Sequence, residues 1–425
     1  MKILRSTILH TPRNAFRHAD ALAAYSDGAL AVDNGRIVAC ADYAEVRAAH
    51  PDADVEDLRG GYILPGFIDT HVHFPQVRIL GGLGYSLLDW LDQLTLPEEA
   101  RLADSAYSST IAREFTRALA AHGTTTALVF GSHFGDATAS LLETANTRGL
   151  RVFAGIVLSD RKLRPELHQT AEAAYRDSKT LIQQFGADRY VVTPRFALSA
   201  SEAILDVCQT LVGEHPGVRF TTHINESPNE IAEVARLFPW ADDYLGVYER
   251  FNLVGPRSLL AHNIHASASE LARLSLRGAS VSHCPCSNAA LGSGILPMRR
   301  HVEANVRVSL GSDVGGGTGF GILKEGLQAY LMQRLAAEPM TLAPAQMLYL
   351  ATRAGAEALE IDDETGDFAP GKSADFVYLQ APENSVLAGV LGRLEDPERI
   401  LAALFTMAGT ESIKEVRVGD RDILH

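Results

Sequence analysis

Four histidines and one aspartate stand at the ends of short apolar runs in the chain. His71 and His73 end the first run, His223 and His262 end two later ones, and a fourth run leads directly into Asp313. Side chains two residues apart in a strand point to the same side, so His71 and His73 converge on one point. Imidazole nitrogen and carboxylate oxygen are ligands that zinc or iron accepts at about 2.0–2.2 Å. The pattern predicts a metal site.

A histidine taken singly has an ordinary alternative as a hydrogen-bonded core or surface residue, and the H-x-H pair alone has the same alternative. The joint placement of all five residues at predicted strand ends favours the metal site.

Glu226 lies three residues beyond His223, just past a strand end, where a carboxylate would sit above the metal. Such a group can take a proton from water and return it to a leaving group, and desolvation raises its pKa toward that task. Because Ser227-Pro228 begins a predicted helix, the alternative role is a helix N-terminal charge. Asp313 has a similar alternative as a helix cap before a glycine-rich loop.

The elements that must position these residues alternate between short apolar strands and longer helices. The eight strand candidates are residues 66–73, 124–130, 152–158, 190–198, 219–224, 258–264, 280–284 and 306–310. The helix candidates between them include residues 105–121, 171–185, 202–212 and 267–276. This alternation predicts an α/β protein whose parallel strands form a (β/α)8 TIM-type barrel, in which catalytic groups stand at the carboxyl ends of strands. A doubly wound open sheet is the alternative.

Both ends of the chain are rich in β-strand candidates. Asn34-Gly35 between two apolar runs predicts a hairpin, and residues 374–379 and 415–418 are typical of strands. We therefore expect a small β-sandwich domain made from residues 1–66 and 366–425, with the barrel spanning 67–365.

Composition limits the classes of partner. The 425 residues carry 38 basic and 52 acidic side chains, for a net charge of −14, which disfavours nucleic acid and anionic lipid surfaces. No apolar stretch approaches the ~20 residues of a membrane helix, and the start lacks the long apolar segment of a signal peptide, so we expect no membrane partner and a cytoplasmic location. The four cysteines are expected to be free thiols.

Residues 366–373 match the phosphate-loop pattern G-x-x-x-x-G-K-[ST]. That pattern binds phosphate when a strand precedes it and a helix follows, whereas here a helix precedes and a strand follows. We interpret the segment as a turn leading back into the β domain.

Several segments together resemble the amidohydrolase superfamily, in its branch of metal-dependent aminohydrolases. They are P-G-F-I-D-T-H-V-H (65–73), T-H-I-N-E (222–226), S-H-C-P-C-S-N (282–288) and G-S-D (311–313). Others are similar to the guanine-deaminating members of that branch: H-V-H-F-P-Q (71–76), L-L-D-W-L (87–91), H-G-T-T-T (122–126), T-P-R-F-A-L-S (193–199) and G-S-D-V-G-G-G (311–317). The segments run across nearly the whole chain.

The resemblance implies a barrel that holds one zinc ion. Its ligands would be His71, His73, His223 and Asp313. His262 would lie beside the metal, polarising the attacked centre or orienting water. Other members bridge two metals with a carboxylated lysine at the fourth strand, and residues 191–196 contain none, which favours a single metal. Iron(II) stays an alternative, since nitrogen and oxygen ligands accept both ions.

The resemblance also assigns catalysis and recognition. Glu226 would shuttle protons, with Asp313 also able to accept one, and Gln76, Arg195 and Phe196 would recognise a purine. Glutamine donates and accepts along a base edge, arginine donates to a carbonyl, and an aromatic ring stacks on a flat heterocycle. Trp90 would be a further wall, with a packed core aromatic as its alternative.

The implied reaction is hydrolytic deamination of guanine to xanthine and ammonia by a homodimer, within purine catabolism. Two alternatives stay open. One is an aminohydrolase acting on 8-oxoguanine, a pterin, an s-triazine or cytosine, and the other is a non-catalytic scaffold that retains the fold.

Overall fold

The computed structural model describes residues 1–425 and has a barrel of parallel strands beside a mixed sheet. The strands are β1 (Lys2–His10), β2 (Ala23–Asp33), β3 (Arg36–Asp42), β4 (Asp54–Pro65), β5 (Phe67–His73), β6 (Thr124–Phe130), β7 (Arg151–Gly155), β8 (Val157–Leu158), β9 (Val191–Pro194), β10 (Arg219–Ile224), β11 (Ser258–His262), β12 (Ser280–His283), β13 (Arg307–Leu310), β14 (Phe376–Leu379), β15 (Ile413–Val418) and β16 (Arg421–Asp422).

Seventeen α-helices and several single turns connect these strands. The α-helices are α1 (Tyr43–Ala49), α2 (Leu87–Trp90), α3 (Leu96–Ala100), α4 (Ser105–Ala121), α5 (Gly135–Arg148), α6 (Ala171–Phe185), α7 (Glu202–Glu214), α8 (Pro228–Leu237), α9 (Tyr244–Arg250), α10 (Ala268–Arg277), α11 (Pro285–Ala290), α12 (Met298–Glu303), α13 (Ile322–Leu335), α14 (Pro344–Ala351), α15 (Arg353–Ala358), α16 (Val386–Leu391) and α17 (Pro397–Met407). A 3₁₀ helix spans Phe74–Ile79, and one π-helical turn spans Leu91–Thr95.

The barrel strands follow one another in chain order. Strands β5, β6 and β7 pair in parallel, as do β8 to β13, and an Ala154–Tyr190 bridge joins the two groups. The ring closes beyond β13, where the Asp313 N–H donates to the His71 carbonyl at 2.8 Å and the His73 N–H donates to the Val314 carbonyl at 3.0 Å. With β7 and β8 forming one interrupted strand, the predicted eight-stranded barrel is confirmed.

The barrel interior is apolar at the amino ends of its strands. Ile68, Leu128, Phe153, Val191 and Leu259 project from five strands into one buried apolar cluster. Residues of α15 and the following Leu359 join this cluster. The floor below the histidines is therefore packed, and the opposite, carboxyl end of the strands is left for polar chemistry.

The strands from both chain ends form one mixed sheet, in the order β16-β15-β14-β4-β1-β2-β3. The predicted hairpin turn is present, with Asn34 at φ 48° and Gly35 at φ 73°. Helix α1 covers one face of the sheet through Val46. The pairing of β4 with β14 joins the amino-terminal and carboxyl-terminal segments, as expected. The domain boundaries at 66/67 and 365/366 stay a prediction.

The carboxyl-terminal segment also contains α16 and α17, two helices that were not predicted from the sequence. Helix α17 packs closely on α13, where a Cβ at Gly326 would lie 2.4 Å from the Phe405 ring. None of the helices has the length and apolar character that crossing a membrane requires.

Candidate active site

Four buried side chains bring their ligand atoms together at the carboxyl end of the barrel. His71 and His73 lie at the end of β5, His223 lies in β10, and Asp313 follows β13. All four ligand atoms are within 4.8 Å of one another. His73 Nε2 lies 3.3 Å from His71 Nε2 and 3.2 Å from His223 Nε2. Asp313 Oδ1 lies 3.3 Å from His71 Nε2 and 3.2 Å from His73 Nε2.

Four of the six ligand-atom separations, at 3.2–3.3 Å, match those of ligands that share one metal ion. Ligand atoms held tetrahedrally at about 2.0 Å from one ion lie about 3.3 Å apart. His223 Nδ1 donates to the Arg195 carbonyl oxygen at 2.5 Å, which leaves Nε2 of the neutral ring unprotonated and free to ligate. Burial lowers the pKa of His73 to about 4 and also lowers the pKa of His71 and His223. The imidazoles are thus held in the neutral form that binds metals.

Asp313 supplies the negative charge of the cluster. Burial alone would raise the pKa of its carboxyl group, but hydrogen bonds with His71 and His73 and charge interactions with His71 and His262 outweigh burial and hold that pKa well below its usual range. With the imidazoles unprotonated, the cluster offers three nitrogens and one carboxylate, a donor set that zinc accepts.

The local sequence brings the two ends of this cluster together. Asp69 accepts from the backbone N–H groups of His71 and Ser312 at 3.2 and 3.0 Å, so it ties β5 to the loop after β13. Gly311 permits this approach, because a Cβ there would lie 2.7 Å from His71 Cβ and 2.6 Å from Ser282 Oγ. Asp69 lies inside the I-D-T-H segment, but its structural role was not predicted from the sequence.

Glu226 lies between β10 and α8 and is only 2% exposed. Its Oε1 accepts from Ser293 Oγ at 3.1 Å. Burial, together with the nearby charge of Asp313, raises the pKa of Glu226 to about 8. Ser227 and Glu230 form the capping box of α8, so the helix-cap role left open for this region is filled by other residues.

His262 faces both carboxylates at the end of β11. Its Nε2 lies 3.6 Å from Glu226 Oε2 and 3.8 Å from Asp313 Oδ2. On the other side of the ring, Nδ1 lies 2.9 Å from Asn288 Oδ1 and donates to it. In the neutral ring Nε2 is then an acceptor. Asn288 lies in the S-H-C-P-C-S-N segment, where the sequence pattern predicted no role for it.

A small pocket opens beside the cluster, and its lining contains every predicted substrate residue. Its lining comprises His73, Gln76, Leu87, Trp90, Leu91, Arg195, Phe196, His223, Glu226, His262, Leu291 and Asp313. The side chain of Gln76 comes from the 3₁₀ helix after β5, whereas Arg195 and Phe196 directly follow β9. Trp90 is 4% exposed and also lines the pocket. Its position therefore fits both the predicted pocket wall and the alternative of a packed core aromatic.

Two polar residues behind the pocket, Glu99 and His133, were not predicted from the sequence. Glu99 on α3 contacts Gln76, Arg195 and His133 and is 1% exposed. In the sequence, Glu99 follows Pro97-Glu98, a pattern typical of acidic residues in the first turn of a helix, so nothing local marked it as a partner of the pocket.

The remaining candidate groups lie outside the cluster. Cys284 and Cys286 are buried free thiols beside His283 at the end of β12, as predicted, and the other two cysteines are also free. Lys372 in the phosphate-loop match is 8% exposed and donates to Asp367 at 2.7 Å. Its ammonium group is therefore paired inside a turn.

Comparison with known proteins supports the resemblance to amidohydrolases that the sequence motifs indicated. The model for the Amidohydrolase family matches residues 62–421, and residues 28–53 match an imidazolonepropionase-like composite domain of bacteria. A probable guanine deaminase of Deinococcus radiodurans is 59% identical over 428 residues, covering 99% of this chain and 98% of that protein.

Two solved structures superimpose over nearly the full length. The structure of E. coli guanine deaminase has a TM-score of 0.95 and 35% identity, covering 99% of each chain. A guanine deaminase from C. acetobutylicum, solved with guanine bound in its active site, has a TM-score of 0.90 and 25% identity, again covering 99% of each chain. The resemblance inferred from the sequence motifs is confirmed.

Proposed function

The chain is an enzyme that belongs to the amidohydrolase family, and we propose that it hydrolyses guanine to xanthine and ammonia. The observation that carries this proposal is one pocket that Gln76, Arg195 and Phe196 line together with Glu226 and with members of the histidine–aspartate cluster. Full-length similarity to proteins named guanine deaminase supports it.

We assign the metal site to His71, His73, His223 and Asp313, with one zinc ion per subunit and iron(II) as the alternative. When bound, such an ion lowers the pKa of water toward ~7 and so provides a nucleophile at neutral pH. The complete donor set and the neutral state of its imidazoles support this assignment and disfavour the scaffold alternative.

Glu226 is the proposed proton carrier. Water contributes its oxygen to the ring carbon that bears the amino group, and its protons pass through the Glu226 carboxylate to the ring nitrogen and then to the departing ammonia. A pKa near neutrality allows one group both to accept and to release protons, and burial raises the pKa of Glu226 to about 8. The hydroxyl of Ser293 holds one carboxyl oxygen in place.

His262 is proposed to orient the attacking water. Because Nδ1 donates to Asn288, Nε2 of the neutral ring accepts a hydrogen bond from the side that faces Glu226 and Asp313. Asp313 Oδ2 lies 3.8 Å from His262 Nε2, so the Asp313 carboxylate could also accept the proton that the water loses.

The base would be recognised by its edge and by its faces. Arg195 Nη1 is bound to Glu99, while no hydrogen bond within the chain engages Nε or Nη2, which can donate to the O6 and N7 acceptors of guanine. Gln76 would bind a second edge, and the rings of Phe196 and Trp90 provide flat walls.

The proposal extends to the pathway, the location and the oligomeric state of the protein. We assign the protein to purine catabolism in the cytoplasm as a homodimer, on the strength of the resemblance. The net charge of −14 does not repel a neutral free base.

Steady-state turnover of the metal-loaded protein tests the substrate. We expect kcat/KM for guanine to exceed that for adenine, cytosine, 8-oxoguanine, pterins and s-triazines by at least about 100-fold, because a site built from paired polar groups rejects mismatched edges. A clear preference for one of the other heterocycles would replace guanine as the substrate.

A further inference from the structure

Glu99 contacts both of the side chains that would read the base, although it does not line the pocket itself. Gln76 Nε2 donates to Glu99 Oε1 at 2.9 Å. Arg195 Nη1 lies 3.0 Å from Oε1 and 2.9 Å from Oε2 of the same carboxylate. One side chain on α3 therefore joins the 3₁₀ helix after β5 to the segment after β9.

This carboxylate is charged despite its burial. Burial would raise the pKa of Glu99, but the Arg195 guanidinium and the hydrogen bonds from His133 and Gln76 outweigh it and hold the pKa far below its usual range. His133 Nε2 lies 3.1 Å from Glu99 Oε2, and because a carboxylate only accepts, that nitrogen donates. Both oxygens of Glu99 are thus occupied by donors from within the chain.

Glu99 and the Gly315 N–H together fix which way the Gln76 amide faces. A carboxylate cannot donate, so it selects the NH₂ end of the amide. At the other end, Gln76 Oε1 accepts from the Gly315 N–H at 3.0 Å, and a backbone N–H cannot accept. Both contacts select the same orientation of the amide. One N–H and one oxygen lone pair of Gln76 stay free, at positions that this orientation fixes.

Arg195 is oriented by the same group. Its Nη1 is held against both oxygens of Glu99, which directs the free Nε and Nη2 donors away from that carboxylate. An arginine held by a planar carboxylate loses rotational freedom before a ligand arrives, so less entropy is lost on binding.

We propose that Glu99 is a positioning residue that fixes the orientation of Gln76 and Arg195 for binding a purine base. His133 supports it by occupying the remaining side of Oε2. The inference rests on the proposed function for the identity of the base, and it concerns binding of the base rather than the chemical step.

The Glu99→Gln variant tests this role with almost no change in volume. A glutamine at this position keeps only one acceptor oxygen and turns an NH₂ group toward the donors of Gln76, Arg195 or His133, so one of these contacts is lost, and Arg195 also loses its counter-charge. We expect KM for guanine and the Kd of xanthine, measured by calorimetry on the metal-loaded protein, both to rise by roughly 10- to 100-fold. We expect kcat to change by less than about threefold, because Glu99 does not touch the reacting atoms.

The neighbouring Glu98 offers a matched control. It lies on the same helix and is 7% exposed, but its carboxylate binds Tyr107 and Arg101 and contacts neither Gln76 nor Arg195. Glu98→Gln should leave KM and the xanthine Kd within about twofold. Glu99→Asp, which retains the charge with a shorter reach, should give a smaller rise than Glu99→Gln.

The outcomes separate the two proposals. If the wild-type protein neither turns over guanine nor binds xanthine, the proposed function fails. If the wild type is active and Glu99→Gln keeps KM and Kd within twofold, or loses kcat as strongly as it loses binding, the positioning role is wrong. Should Glu99→Gln fail to fold, the Glu99→Asp variant decides: unchanged KM and Kd there would overturn the role.

Discussion

His223 and Arg195 are joined by a hydrogen bond from the histidine Nδ1 to the arginine backbone carbonyl, at 2.5 Å. The contact holds the ring so that Nε2 faces the other ligand atoms. Because the side chain of the same arginine reaches the pocket, one short segment after β9 supports both the metal ligand and the base-binding edge. Distances between the two parts of the site are therefore set by covalent geometry as well as by packing.

Glu226→Gln should lower kcat for guanine by roughly 10²- to 10⁴-fold, because glutamine cannot carry a proton. Metal content measured by elemental analysis should stay at the wild-type value, since Glu226 is not among the four ligands. Glu233→Gln, a change on α8 at an exposed ion pair with Arg236, is the control and should leave kcat unchanged. A Glu226→Gln enzyme with kcat within tenfold of wild type would refute the proton-carrier role.

Asn288→Leu should lower kcat/KM by roughly 10- to 100-fold, because the His262 ring loses the acceptor that holds its Nδ1. Asn288→Asp keeps an oxygen at that position and should retain more activity than the leucine variant. The comparison is made by steady-state kinetics at equal metal content. Equal activities for the two variants would show that the Asn288 oxygen does not position His262.

Gly311→Ala should reduce both bound metal and melting temperature. The new Cβ would lie 2.7 Å from His71 Cβ, so β5 must shift away from the loop that carries Asp313. Gly213→Ala makes the same substitution in α7, where nothing lies within 4 Å, and should be neutral or stabilising by up to ~1 kcal/mol. Full metal content in Gly311→Ala would contradict the close approach of these strands.

Glu325 should make the protein less stable as pH rises from about 5 to 8. Burial raises the pKa of this carboxyl group from 4.5 to about 8, so in that interval the folded state binds a proton that the unfolded state has released. Its stabilising contribution is complete below pH 4.5 and is lost as pH rises through about 8.

The Glu325→Gln variant mimics the protonated form at every pH and should remove this dependence of stability on pH. Urea unfolding of wild type and variant at pH 5 to 8 measures the effect, and the variant's free energy of unfolding should fall less steeply over that range. Glu166→Gln, at an exposed carboxylate, serves as the control and should follow the wild type. Parallel curves for wild type and Glu325→Gln would show that Glu325 does not titrate in this range.

Much of the fold could be predicted because its signals are local. The run ending in His71-Val72-His73 and the segments 124–130 and 219–224 are short apolar stretches between helices, and the structure places strands at each. Helices α4 and α6 have the predicted bounds, since each begins after a capping residue, Asp104 or Thr170.

The features that were missed depend on contacts between distant segments. Helices α16 and α17 are short, and α17 packs against the barrel helix α13. Their region was predicted to belong to a β domain. Glu99 becomes informative only when α3 folds back over Arg195, 96 residues later in the chain. The ligand positions were accessible because strand ends of a barrel meet in space, whereas the residues that orient them follow no such rule.

The most direct test of the central claim is the reaction of guanine in ¹⁸O-labelled water with the metal-loaded protein. Mass spectrometry of the purine product and an assay for ammonia follow both halves of the reaction. The account predicts xanthine carrying one ¹⁸O atom, formed together with an equal amount of ammonia, and neither product from Glu226→Gln on the same timescale. Failure of the metal-loaded wild type to form labelled xanthine would contradict it.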